Sequence, residues 1–137
     1  MRAINHVAVW VAGLAHFVLG AGWYTTLAKA WVAGIGKTEA QIMTEQPNTA
    51  IPMIIGFVVA VVIAYAIAWL LPKLGARSVG SGARTGATLA LTLIATTLAM
   101  NYGFEARPIS LWLINSGYMV VGMAVMGGII GGWKKKT

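Results

Sequence analysis

Four apolar stretches, at about residues 4–28, 51–71, 83–103 and 111–133, take up most of this chain, and its charged residues fall almost entirely between them. A helix needs about 20 apolar residues to cross the hydrocarbon core of a bilayer, and each stretch reaches that length. Only 9% of the 137 residues are charged against 58% hydrophobic, and the mean hydropathy is +0.77. A soluble helical bundle needs a polar face along every helix, and too few polar residues remain to make them. The expected fold is all-α: one domain over residues 1–137, a four-transmembrane-helix bundle.

The basic residues orient such a bundle. Arg2 precedes the first stretch, Lys73, Arg77 and Arg84 surround the second connection, and Lys134, Lys135 and Lys136 follow the last. The first and third connections hold Lys29, Lys37 and Arg107 together with every acid of the chain, Glu39, Glu45 and Glu105. Seven basic residues against three place both termini on the cytoplasmic side. The net charge of +7 and pI near 10.2 then describe membrane flanks rather than a nucleic-acid-binding face. No arginine-rich arm or recognition helix is present, so the expected partners are the bilayer and anionic lipid on the cytoplasmic side, with no nucleic acid. Although Arg2 precedes an apolar run, that run is too long for a signal-peptide core and contains two histidines and two tryptophans, so it reads as helix one. With no cysteine, disulfides and thiolate chemistry are excluded.

The connections differ in character. In the first, Thr38-Glu39-Ala40-Gln41 has capping-box spacing, which predicts a short helix from Glu39 to Gln46, stopped by Pro47. Trp31, Val32 and Ile35 before it predict a short amphipathic segment on the outer surface between helices one and two. The second connection, residues 72–82, is rich in Gly and Ser and reads as a flexible loop. The third is only residues 104–107, and Pro108 suits the first position of helix four, so helices three and four form a tight hairpin. Gly56, Ala60, Ala64 and Ala68 repeat every fourth residue on helix two, and helix four offers Gly127/Gly131 and Gly128/Gly132. Such faces let backbones approach closely, within the chain or in a homo-oligomer, and an oligomer is the expected state.

Ionisable groups inside a span are functional candidates by default. His16 sits in the middle of helix one, on one face with Gly20 and Tyr24, and is a candidate proton or ligand site; the plainer alternative is a histidine satisfied by a neighbouring helix. His6 lies ten residues away, about 15 Å along a helix, so the two cannot share a metal, and no metal or cofactor is expected. Thr85, Thr88, Thr92 and Thr96 form an approximate stripe on helix three, whose hydroxyls can bond back to their own helix or line a polar path. The densest polar group is at the outer hairpin, where Asn101, Tyr102, Glu105 and Arg107 fall within seven residues, with Asn115 and Tyr118 below them on helix four and Trp23 and Tyr24 at the same depth on helix one. An aromatic belt with an Arg–Glu pair pinning the turn would account for these residues, as would a shallow outer-leaflet pocket. No catalytic spacing such as G-x-S-x-G, H-E-x-x-H or a P-loop occurs.

The blocks Gly20-x-x-Trp23-Tyr24 with Lys29-Ala30-Trp31, Asn101-Tyr102-x-Phe104-Glu105-x-Arg107-Pro108, and Leu111-Trp112-Leu113-Ile114-Asn115-x-Gly117-Tyr118 resemble the bacterial membrane-protein family called domain of unknown function 1761. The resemblance covers nearly the whole chain, and the Asn-Tyr-x-Phe-Glu-x-Arg stretch is its most specific part. It implies a small four-helix protein of the bacterial inner membrane and no established reaction. Three functions compete on the residues themselves. One is a non-enzymatic binding or scaffold module with a polar pocket near the outer leaflet. Another is a compact oligomeric transporter or channel using His16. The third is an intramembrane enzyme acting on lipid through Tyr102, Glu105 and Arg107. A cavity that crosses the protein favours transport; a blind pocket favours binding or catalysis.

Overall fold

The computed structural model describes residues 3–134; Arg2, Lys135 and Lys136 of the basic ends lie outside them. The helices in chain order are α1 (His6–Thr26), α2 (Ala28–Ile35), α3 (Glu39–Glu45), α4 (Ala50–Lys73), α5 (Val79–Leu89), a π-helical segment (Ala90–Ala95), α6 (Thr96–Phe104) and α7 (Ile109–Gly132). Four spans are long and apolar enough to cross a membrane: α1, α4, the continuous Val79–Phe104 rod and α7. They run up, down, up and down. This is the architecture of a multi-pass membrane protein, with the chain ends at one end of the bundle and the hairpin of residues 105–108 at the other.

Local chemistry sets the helix ends. Asn5 caps α1 by accepting the Ala8 N–H, and Thr38 and Gln41 form the expected capping box at α3. The second connection departs from its expected form. Instead of a loop to residue 82, α4 runs through Pro72 in its last turn, and α5 starts at Val79 behind a reciprocal Ser78–Ser81 cap. Gly80 and Gly82 lie inside that helix. A Cβ on Gly82 would overlap the Gly127 carbonyl, one on Gly86 the Met123 carbonyl, and one on Gly131 would lie 2.6 Å from the Ser78 carbonyl. A glycine-rich stretch that reads as a loop is thus half of a backbone-to-backbone helix contact, the most extensive in the molecule.

Most of the small-residue positions pack within the chain. Gly127 and Gly131 meet Gly82, and Ala60, Ala64 and Ala68 are buried, while Gly56 has open space around it. α7 is the hub: it packs on α1, α2, α4, α5 and the π segment. The buried residues Val9, Ala12, Ala64, Ile67, Leu71, Ala90, Met123 and Met126 form an apolar core in the half of the bundle nearest the chain ends.

The third span behaves differently along its length. Its buried face reads Gly82, Gly86, Ala90 and then Ala95, a step of five where the others are four. That extra residue is the π segment, whose wider turn shifts the register of everything after it. Beyond it α6 buries nothing and makes no substantial contact with α4. Only 11% of the third span's apolar window is buried, against 33% in each of the other three. A gap therefore opens between α4 and α6 in the hairpin half.

Candidate functional site

The gap is a cavity of about 1110 Å³ walled by α1, α2, α3, α4, the π segment, α6 and α7. Met53, Ile94, Leu98 and Met119 give it apolar sides, and Ile42, Met43 and Glu39 of α3 overhang its mouth. Ile94, Leu98 and Tyr102 follow one another at helical spacing along its α6 wall, as the register shift at the π segment permits.

The polar groups of its floor are few and joined. The Tyr24 hydroxyl donates to Asn115 Oδ1 at 2.8 Å, and Asn115 Nδ2 donates to the Tyr102 hydroxyl at 2.7 Å. One amide on α7 thereby links α1 to α6 across the floor of the cavity. Asn115 has two N–H donors and an oxygen with two lone pairs, so one N–H and one lone pair are left over. The Tyr102 hydroxyl accepts from Asn115 and retains its own proton to donate. Tyr24 also meets Trp31 and Tyr118 edge-on, with ring centroids 6.1 and 5.3 Å apart.

Two indoles brace this floor. Trp23 donates to the Ile114 carbonyl at 3.0 Å and lies over Gly117, where a Cβ would come 3.0 Å from its ring. Trp112 donates to the Ala95 carbonyl at 2.8 Å, fastening α7 to the end of the π segment. The brace by Trp112 was not legible as such. Its block named the residue, but its acceptor belongs to a helix irregularity that the sequence does not announce.

Below the floor, His16 is 3% exposed and stacks on Tyr118 with centroids 4.5 Å apart. The close approach that Gly20 allows is by Tyr118: a Cβ there would lie 2.7 Å from its hydroxyl, which donates to the His16 backbone carbonyl at 3.1 Å. His16 Nδ1 faces the Gly122 backbone, where no well-aligned hydrogen bond forms, and it has no partner among the described residues. Ser116 Oγ, on a residue 4% exposed, is likewise without one. Tyr118 and Gly122 thus occupy the place opposite His16 that sequence reasoning gave to Asn115 or the threonine stripe. Two of the stripe's threonines bond back to their own helix, Thr92 to the Thr88 carbonyl at 2.7 Å and Thr96 to the Thr92 carbonyl at 2.5 Å, and Thr88, Thr92 and Thr96 are exposed on the outside of the bundle. His6 bonds the Tyr65 hydroxyl at 2.8 Å, far from His16.

The hairpin cluster divides. Tyr102, Asn115, Tyr118 and Tyr24 converge on the cavity floor, while Trp23 does not line it and braces α1 against α7. Arg107 pairs with Glu105 at 2.5 Å and lies over the Tyr102 ring at 5.9 Å, and both charged side chains are largely exposed. Asn101 is exposed and lends only its carbonyl, to the Glu105 N–H. Among the described residues no three His, Asp or Glu side chains converge as metal ligands. What the cavity offers is aromatic faces, hydroxyls, one amide and, at its mouth, the Glu39 carboxylate.

The sequence model of one protein family, described as Protein of unknown function (DUF1761), matches residues 7–131. No curated protein and no solved structure matches the chain.

Proposed function

This chain belongs to the DUF1761 family, a membership that brings no reaction with it, and from its own residues we propose a non-enzymatic membrane protein that binds an amphipathic, lipid-like ligand entering sideways between α4 and α6. The observation that carries this reading is the cavity of about 1110 Å³, apolar on its sides and hydrogen-bonded on its floor. Its size lies slightly above the usual range for small-molecule pockets, about 300–1,000 Å³. An apolar tail fits along Met53, Ile94, Leu98 and Met119, and a hydroxyl or carbonyl meets the spare N–H of Asn115 and the spare proton of Tyr102. The gap between α4 and α6 faces the surrounding lipid, so a ligand can enter from within the bilayer.

We infer the orientation from the seven basic residues at the terminal end. They put the termini in the cytoplasm of a bacterial cell and the cavity in the outer leaflet of its inner membrane. Transport through His16 draws on its buried, unpartnered Nδ1. Against it, the route onward crosses the apolar core of Val9, Ala12, Ala64 and Met126. Lipid chemistry by Glu105 and Arg107 draws less support, because neither residue lines the cavity.

The test is photolabelling of the protein in nanodiscs with a diazirine-bearing acyl probe, mapped by mass spectrometry. Labelling is expected to concentrate on Met53, Ile94, Leu98 and Met119 and to drop at least fivefold when Leu98→Trp fills the cavity. Labelling spread evenly over outward residues such as Ile54, Val58 and Val62 would refute the proposal.

A further inference from the structure

A second cavity, of about 600 Å³, lies at the opposite end of the bundle between the start of α1, the end of α4 and the end of α7. It shares no residue with the first. Leu71 and Ile130 form part of an apolar wall, while Asn5, Arg77, Trp133 and Lys134 stand around it. We propose that this cavity holds the phosphate headgroup of an anionic phospholipid, with Arg77 and Lys134 as its cationic contacts.

Depth is the first argument. α1 begins at His6, α4 ends at Lys73 and α7 ends at Gly132, so the cavity sits where the apolar spans stop, at the level of lipid headgroups. Trp133, an amphipathic ring suited to that level, stands beside it. Charge is the second argument. Arg77 and Lys134 are exposed and make no ion pair among the described residues, and all three acids of the chain lie at the other end, in α3 and the hairpin turn. Lys73 is engaged elsewhere, over the Trp69 ring at 4.6 Å, which leaves the two cations at the cavity to answer an anion. Shape is the third. A free phosphate has no use for an apolar wall, whereas the first carbons of a phospholipid below its headgroup lie along Leu71 and Ile130.

The experiment is native mass spectrometry of the full chain, delipidated in detergent and titrated with phosphatidylglycerol or with phosphatidylcholine of the same acyl chains. Phosphatidylglycerol is expected to bind more tightly. Each cation near an anionic headgroup is worth about fivefold, so the Arg77→Gln/Lys134→Gln double variant should lose roughly 25-fold in that affinity. Lys29→Gln/Lys37→Gln, at the hairpin end, should leave it unchanged. Both altered cations are exposed, so neither variant endangers the fold. Equal affinity for the two lipids, or an unchanged affinity in the double variant, would overturn the proposal. Complete displacement of phosphatidylglycerol by millimolar inorganic phosphate would reassign the cavity to a free anion and overturn the lipid assignment.

Discussion

The half of the bundle near the chain ends and the half near the hairpin contain the same four spans but are built on opposite plans. In the terminal half, α5 and α7 touch backbone to backbone through Gly82, Gly86, Gly127 and Gly131, and Ala, Val, Leu and Met fill what remains. In the hairpin half, the π segment has changed the register of the third span, α6 stands away from α4, and large aromatics joined by hydrogen bonds replace small residues. Lipid tails are as apolar as leucine, so helices in a membrane associate through close packing or through polar contacts. This protein uses the first in one half and the second in the other. Close packing leaves no room for a ligand between the helices it joins, whereas polar contacts between bulky rings span a space and leave valences unused.

The largest expected difference between the halves is in their tolerance of a single methyl group. Gly82→Ala drives a Cβ into the Gly127 carbonyl, where backbone faces backbone and neither side can turn away. It should cost about 3 kcal/mol, the top of the usual overpacking range, or prevent folding. Gly22→Ala and Gly103→Ala, in the other half with nothing within 4 Å, should be neutral or stabilising by up to about 1 kcal/mol. Thermal unfolding in detergent compares them, and similar losses for all three would break the contrast.

Next in size is the seam where the halves join. Gly122→Ala pushes against the His16 ring and should cost about 1–3 kcal/mol. Because the clash is with one side chain, His16→Ala should relieve part of it, giving a coupling of at least about 1 kcal/mol in a double-mutant cycle. Additive losses would mean that the ring and the glycine do not constrain each other.

A smaller effect belongs to the cavity floor. Asn115→Leu removes the bonds to Tyr24 and Tyr102. At the membrane average of about 0.6 kcal/mol each, it should lower stability by about 1 kcal/mol while abolishing the site-directed photolabelling. Loss of stability with labelling intact would separate the floor from binding. The smallest effect is expected at the hairpin. Glu105→Ala and Arg107→Ala break a largely exposed ion pair between residues two apart, worth about 0–1 kcal/mol and weaker in high salt. A loss above about 2 kcal/mol would show that the pair holds more than its own turn.

Much of this was legible beforehand, and for particular reasons. The four spans follow from uncharged length, the hairpin from the few residues between Gly103 and Pro108, and the α3 start from the Thr38–Gln41 spacing. Tyr24, Tyr102 and Asn115 could be singled out because hydroxyls and amides at membrane depth require partners. Which partners they take could not be read, since the bonds join residues 13 and 91 apart in the chain. The Gly/Ser stretch before Ala83 was misread as a loop because glycine looks alike in a turn and in a tight helix contact, and only the facing Gly127 tells the two apart.

By itself, the sequence determined that the chain forms membrane-length helices, because hydrophobic length and the need to satisfy backbone hydrogen bonds within each segment are properties of a segment alone. Whether a small residue, a hydroxyl or a histidine faces lipid, a neighbour or a cavity was decided by the tertiary structure. That choice depends on the rotation of one helix against another, and the single extra residue in the π segment at Ala90–Ala95 turned the whole of α6 toward a cavity that no local pattern describes.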